Sequence, residues 1–109
     1  MTNDEEKRLK AEVASIAARV LDGTVGITEG ARRIVTLGQR LGIDKDADFT
    51  TFVGIDSETD QFPLGPARSH WAADSLTRYD AERQKIEDFY QRYAEQACRS
   101  LIQKYEQNG

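Results

Sequence analysis

The last third of the chain sets the strongest constraint on the fold. Leu76, Tyr79, Ile86, Phe89, Tyr90, Tyr93, Ala97, Leu101 and Tyr105 recur at steps near 3.5. That period belongs to one face of an α-helix. It predicts a helix over residues 73–107, interrupted on its apolar line only by Arg83. At 1.5 Å per residue such a helix is roughly 50 Å long, against roughly 30 Å for the width of a small domain. One end must therefore project, bend, or pack on another chain. Phe89, Tyr90 and Tyr93 cannot all share one narrow stripe, so at least one of them is expected at an exposed, interface-like position. Ala94, Ala97 and Cys98 form a small-residue side where another helix can cross closely.

Ahead of this helix the same logic gives three shorter ones. Leu9, Val13, Ile16, Ala17, Val20 and Leu21 predict a helix over 4–21, capped by Asn3 and closed by Gly23. Ala31, Ile34, Val35, Leu37 and Leu41 predict a second helix, capped by Thr28 and ended by Gly42. Gly30 and Gly38 lie eight residues apart, nearly on one side, and permit close approach of a neighbouring helix. A third, short helix is expected over 44–53, capped by Asp44 or Asp46, with Phe49, Phe52 and Val53 pointing inward. A strand over 50–55 competes with it, because the segment is rich in β-branched and aromatic residues. No second strand is evident to pair with it.

Residues 54–72 read as a long loop. It holds both prolines, Pro63 and Pro66, the only histidine, His70, and the only tryptophan, Trp71. Loops of this length inside a compact domain are functional or disordered. Ile55, Phe62, Leu64 and Trp71 offer apolar anchors against disorder, with Trp71 the principal one.

The fold class expected is all-α: a small helical bundle of two N-terminal helices, a short third helix, a long ordered loop and a long C-terminal helix. The 109 residues suit one domain over 1–109, with its core over about 4–106. No apolar run approaches the roughly 20 residues needed to cross a bilayer. The N-terminus has no apolar stretch behind a basic start, so no signal peptide is expected. A single cysteine excludes an internal disulfide framework. A cytoplasmic location fits these features.

Formal net charge is -4, and residues 44–60 alone carry -5. Asp44, Asp46, Asp48, Asp56, Glu58 and Asp60 face only Lys45 in that segment. Such a surface repels phosphate backbones, so nucleic acid is not an expected partner. It attracts a basic protein, though charge runs are also ordinary solvated faces. Arg32, Arg33, Arg40 and Arg68 are a counterweight. They either tie the loop to the second helix by internal ion pairs or form an anion site.

Other chemistry finds weak footing. Asp56, Glu58 and Asp60 start a calcium-loop pattern that fails at Gln61 and Ala67, so no metal or other cofactor is expected. These carboxylates more simply accept backbone amide hydrogen bonds or cap helices. His70 could serve as a general base, and with Arg68 and Trp71 it marks a possible ligand site. A lone histidine beside a tryptophan is more often packing. Cys98 reads as a core thiol. No glycine-rich phosphate loop is present, and no catalytic residue is assigned.

Ala31-Arg32-Arg33-Ile34, the string from Phe52 to Asp60, Pro63-Leu64-Gly65, Arg68 and Trp71 together resemble a group of short, uncharacterised bacterial proteins. The resemblance covers roughly residues 13–102, and Gly-Ile-Asp-Ser-Glu-Thr-Asp is its most specific part. It implies no activity. By size and acidity the chain is similar in class to immunity and antitoxin proteins. The expectation is a non-enzymatic binding protein that neutralises a basic toxin domain through its acidic surface. The alternatives are a ligand-binding or enzymatic site around the loop, and a structural homodimer using the last helix.

Overall fold

A computed structural model describes residues 2–106. The chain order is α1 (Asn3–Leu21), α2 (Ile27–Leu41), α3 (Ala47–Thr59), a 3-10 turn (Gly65–His70) and α4 (Ala73–Glu106). The architecture is the all-α bundle expected, and the described residues contain no strand. The segment that competed as a strand lies inside α3. The expected end of α4 at residue 107 lies outside the described residues. No described helix is long and apolar enough to cross a membrane.

Helix starts depart from the expectation in two places. Thr2, not Asn3, caps α1: its Oγ1 accepts the Glu5 amide at 3.1 Å. Thr28 does not cap α2. Gly26 occupies the cap position with no side chain to offer, and Thr28 is buried at the second position of the helix. The cap comes from elsewhere in the chain, as described below. Gly42 closes α2 at φ +73°, and the Ile43 amide reaches the Gly38 carbonyl at 3.0 Å. This six-to-one bond satisfies one of the last orphan carbonyls.

α3 runs six residues beyond its expected end, through Gly54 to Thr59. Phe49, Phe52 and Ile55 are fully buried along one side, while Val53 faces outward at 38% exposure, against expectation. The side chains at 49, 52, 55 and 59 follow the 3.6-residue period and fix the helix; Val53 falls off it. Most of the acidic string is thus helical, and the connection shrinks to residues 60–72.

α4 sets the 46 Å long dimension of a molecule 27 × 23 Å across. α1 packs against both α4 and α2, and α3 packs against both α2 and α4. The core gathers Leu9, Val13, Ile16 and Ala17 with Ile34, Leu37, Phe49, Phe52, Ile55 and Leu101. Gly38 is the tight point between α2 and α3. A Cβ there would sit 2.6 Å from the Phe49 ring, so the ring lies directly on the helix backbone. Phe49 supplies the burial and Gly38 the space, which is the close approach expected of that glycine.

Candidate functional site

The six carboxylates of the acidic segment divide between the two ends of α3. At its N-terminus Asp48 accepts the Ser100 hydroxyl at 2.8 Å and sits 2.6 Å from Lys104 Nζ, with Asp46 3.6 Å from the same ammonium. Asp48 holds the Lys104 proton more firmly than usual, chiefly through that hydrogen bond. Asp46 is the N-cap residue but makes no side-chain capping bond, and Asp44 lies just before it, half-buried.

At the other end the helix dipole disfavours Asp56, Glu58 and Asp60, and α3 has no basic residue in its last turn. Other helices supply the compensation. Arg32 of α2 lies 3.6 Å from Asp56, and its Nη2 donates to the carbonyls of Thr59 and of Phe62, the latter at 2.9 Å. Tyr90 of α4 donates its hydroxyl to Glu58. That bond, with burial and the Glu58 charge behind it, raises the phenol above its ordinary 10.0. Asp60 is exposed at the C-cap. Four of the six carboxylates therefore engage named partners within the chain, and the two groups do not merge into one patch.

Arg32 thus does what the basic residues were expected to do: it ties the connection to α2. Arg40 lies 3.8 Å from Glu5, and Arg33 is exposed. Arg33 and Arg40 line a groove of about 300 Å³ with Glu12 of α1.

Of the possible ligand residues, only Arg68 is fixed by charge. It donates twice to Asp80, at 2.8 Å each, a bidentate geometry that holds the 3-10 turn on α4. The hydrogen bond raises Arg68 and lowers Asp80 from their ordinary values. His70 is exposed. Trp71 is 40% exposed and meets Tyr79 edge-on at 5.1 Å. The buried anchor of the connection is instead Phe62, 3% exposed, with Tyr79 at 5.9 Å. Trp71 follows the exposed turn, so it covers Tyr79 without being enclosed. No group of three or more potential metal ligands forms among the described residues.

Below Arg68 the ionic chain continues. Arg83 Nη2 lies 3.6 Å from Asp80, and its buried Nε lies 3.8 Å from Glu87, beyond hydrogen-bond reach. Glu87 in turn accepts the Thr28 hydroxyl at 2.6 Å and the Thr28 amide at 3.3 Å. A carboxylate 59 positions away thus caps α2, where Gly26 cannot. Thr28, Leu64, Arg68, Arg83 and Glu87 line a notch of about 460 Å³. Asp80 pairs with both of its arginines and Glu87 with Arg83, so the geometry is that of a clamp holding α2 and the 3-10 turn to α4.

Residues 1–101 match the family model described as "Protein of unknown function (DUF2489)". The chain belongs to that family. The match covers all four helices up to Leu101 of α4. No curated protein matches the chain, and no solved structure does. Family membership agrees with the resemblance to an uncharacterised group and assigns no role to any residue of this DUF2489 chain.

Sequence reasoning missed Asp80, Glu87 and Thr28 as one network. A signal existed: Arg83 breaks the apolar line of α4, and Asp80 and Glu87 flank it at steps of 3 and 4. The expectation of an exposed aromatic on α4 is met at Phe89 and Tyr93, which are 69% and 54% exposed. Their rings lie 6.4 Å apart on one side of the helix, with Tyr90 edge-on to Phe89 at 5.2 Å.

Proposed function

We propose that this chain is a non-enzymatic protein-interaction module whose docking face is the exposed side of α4 around Phe89 and Tyr93. The exposure of those two rings, 69% and 54%, carries the reading. Leaving apolar area in water forgoes about 25 cal/mol per Å². Aromatic side chains on a rigid helix are the commonest anchors of protein interfaces. Here they stand on the helix that α1 and α3 already hold from other sides. The test is a photo-crosslinking amino acid at position 89, in cells of the source organism, with position 12 on α1 as control. Adducts specific to position 89 are expected. Equal labelling at both positions would remove the docking face.

A second reading keeps the acidic segment as a steering surface for a basic partner, of the kind an immunity protein offers a toxin domain. The charge of -5 over residues 44–60 favours it, as does the exposure of Glu58 and Asp60. Against it stand the internal partners of Asp46, Asp48, Asp56 and Glu58. Asp56→Asn, Glu58→Gln and Asp60→Asn together would slow association with such a partner, most at low salt. A lowered melting temperature with an unchanged association rate would assign these groups to structure alone.

A further inference from the structure

We infer that the partner of the α4 face is a second copy of this chain, docked antiparallel about a two-fold axis near Tyr90. The inference rests on the docking face just proposed and names its occupant. Along the outward side of α4, Lys85, Asp88, Arg92 and Glu95 step by 3, 4 and 3 residues. Lys85, Asp88 and Arg92 are exposed and Glu95 is half-buried. Read in reverse, the row becomes Glu, Arg, Asp, Lys. Laid against itself antiparallel, it pairs Lys85 with Glu95 of the partner subunit and Asp88 with Arg92 of the partner subunit. The two-fold repeats both pairs, giving four opposite-charge contacts and no like-charge one. The midpoint of 85 and 95 is 90, and so is the midpoint of 88 and 92.

The aromatics supply an independent observation. Phe89 stands one residue from that midpoint and Tyr93 three. The charge row and the exposed rings therefore share a centre. The result is an apolar strip beside a row of charged pairs, and apolar contact flanked by polar contact is the anatomy of a stable interface. A two-fold interface uses the same patch on both copies, so the patch must be complementary to itself.

Alternating charges at these steps also occur on solvated helices, where they pair along the helix. This helix does not use them so. Asp88 accepts from Gln84 at 2.9 Å and Glu95 from Gln91 at 3.0 Å. Among the described residues, no ion pair engages Lys85 or Arg92. A partner of one charge sign gains nothing from a row carrying two charges of each sign. A parallel copy would set Asp88 against the partner's Asp88, which is repulsive.

Sedimentation of the purified full chain tests the inference. The expected mass is twice 12.3 kDa at high concentration. Asp88→Arg alone, or Arg92→Asp alone, is expected to weaken the dimer by about 10-fold or more, since each inverts two of the four contacts. Asp88→Arg with Arg92→Asp in one chain restores opposite charges only in the antiparallel register, and is expected to recover the dimer. Both positions are exposed, and circular dichroism on each variant checks that the helices persist. A monomer at every attainable concentration overturns the second copy, as does a dimer in which the double exchange is no better than the single ones. The crosslink at position 89 separates this failure from that of the docking face. An adduct of two chains supports the inference. An adduct with a different protein, and none with a copy, overturns the inference and leaves the docking face standing. Labelling no stronger than at position 12 removes both.

Discussion

The two halves of α4 are held by different physics. Every buried residue of this helix falls within 94–105: Ala94, Ala97, Cys98, Leu101 and Tyr105. The half before Tyr93 has none. It is held by Tyr79 under Trp71 and Phe62, by the bidentate Arg68–Asp80 pair, and by Glu87 at the start of α2. Apolar burial is non-directional and scales with area, so the C-terminal half has its place set by volume. The polar half has its place set by geometry, and its contacts are individually modest because they are partly solvated. One continuous helix thus joins a stable end to a loosely clamped one, and local opening should begin at the clamp.

The largest test of that contrast is Leu101→Ala. The side chain is fully buried, so its loss should cost about 2–5 kcal/mol and lower the melting temperature of the whole domain. Ile86→Ala, in the half-buried part of the helix, should cost about 1 kcal/mol. Equal shifts in the two melts would show that the halves are held alike.

Next in size is Glu87→Ala. It removes the only side-chain cap seen on α2 and the carboxylate 3.8 Å from Arg83 Nε, at about 1–2 kcal/mol. The loss should be local, so amide exchange at Thr28 should rise more than exchange at Leu101. Uniform acceleration along the chain would instead place Glu87 in the global core. Trp71→Ala should cost about 1 kcal/mol, because the ring is 40% exposed and only its edge contact with Tyr79 is lost. A loss of 3 kcal/mol or more, the range of a buried aromatic, would mean that the turn closes over Trp71 in solution.

The buried half makes a chemical prediction as well. Burial pushes the Cys98 thiol up to about 12, so almost no thiolate exists near neutral pH. Alkylation by a neutral reagent should then follow global unfolding, with a rate that rises in step in Leu101→Ala. Rapid labelling of the native protein would contradict the buried position.

The same contrast explains what was legible in the sequence. The four helices, the buried faces of α1 and α2, and Cys98 in the core follow from periodicity, because burial leaves a repeating trace. The close packing at Gly38 was readable for the same reason. The polar half left less. Glu87 caps a helix 59 positions away, and nothing local marks Gly26 rather than Thr28 as the start of α2. The end of α3 is hidden because Gly54 and the acidic string look like a loop. Arg32 and Tyr90, both from other helices, neutralise that end. Size marks Trp71 as the principal anchor of the connection, whereas the smaller Phe62 is the buried one. These misses belong to contacts between residues far apart in the chain, where local propensity carries little signal, whereas the Thr2 cap of α1 and the outward Val53 are local features that the residue pattern misplaces.

The smallest effect expected at neutral pH is at the Arg68–Asp80 pair, and acid reveals it. Arg68's hydrogen bond, then its charge and that of Arg83, hold the Asp80 carboxyl below its ordinary 3.8. The ionised form is the one that grips the turn. A depressed folded value means that this contribution is complete above 3.8 and disappears as pH falls through the lower value. Trp71 reports it, since it lies on the turn that Arg68 anchors and touches Tyr79. Trp71 fluorescence should therefore show a transition below pH 3.8, while circular dichroism at the same pH tells local release from unfolding. Arg68→Gln removes both the hydrogen bonds and one cation, so the Asp80 titration should move up toward 3.8 and its coupling to Trp71 should fade. Glu87 and the core remain in place in that variant, so its melting temperature at neutral pH should change little. If the fluorescence midpoint were the same in both proteins, Arg68 would not be what holds the turn, and the clamp would reduce to Phe62 packed on Tyr79.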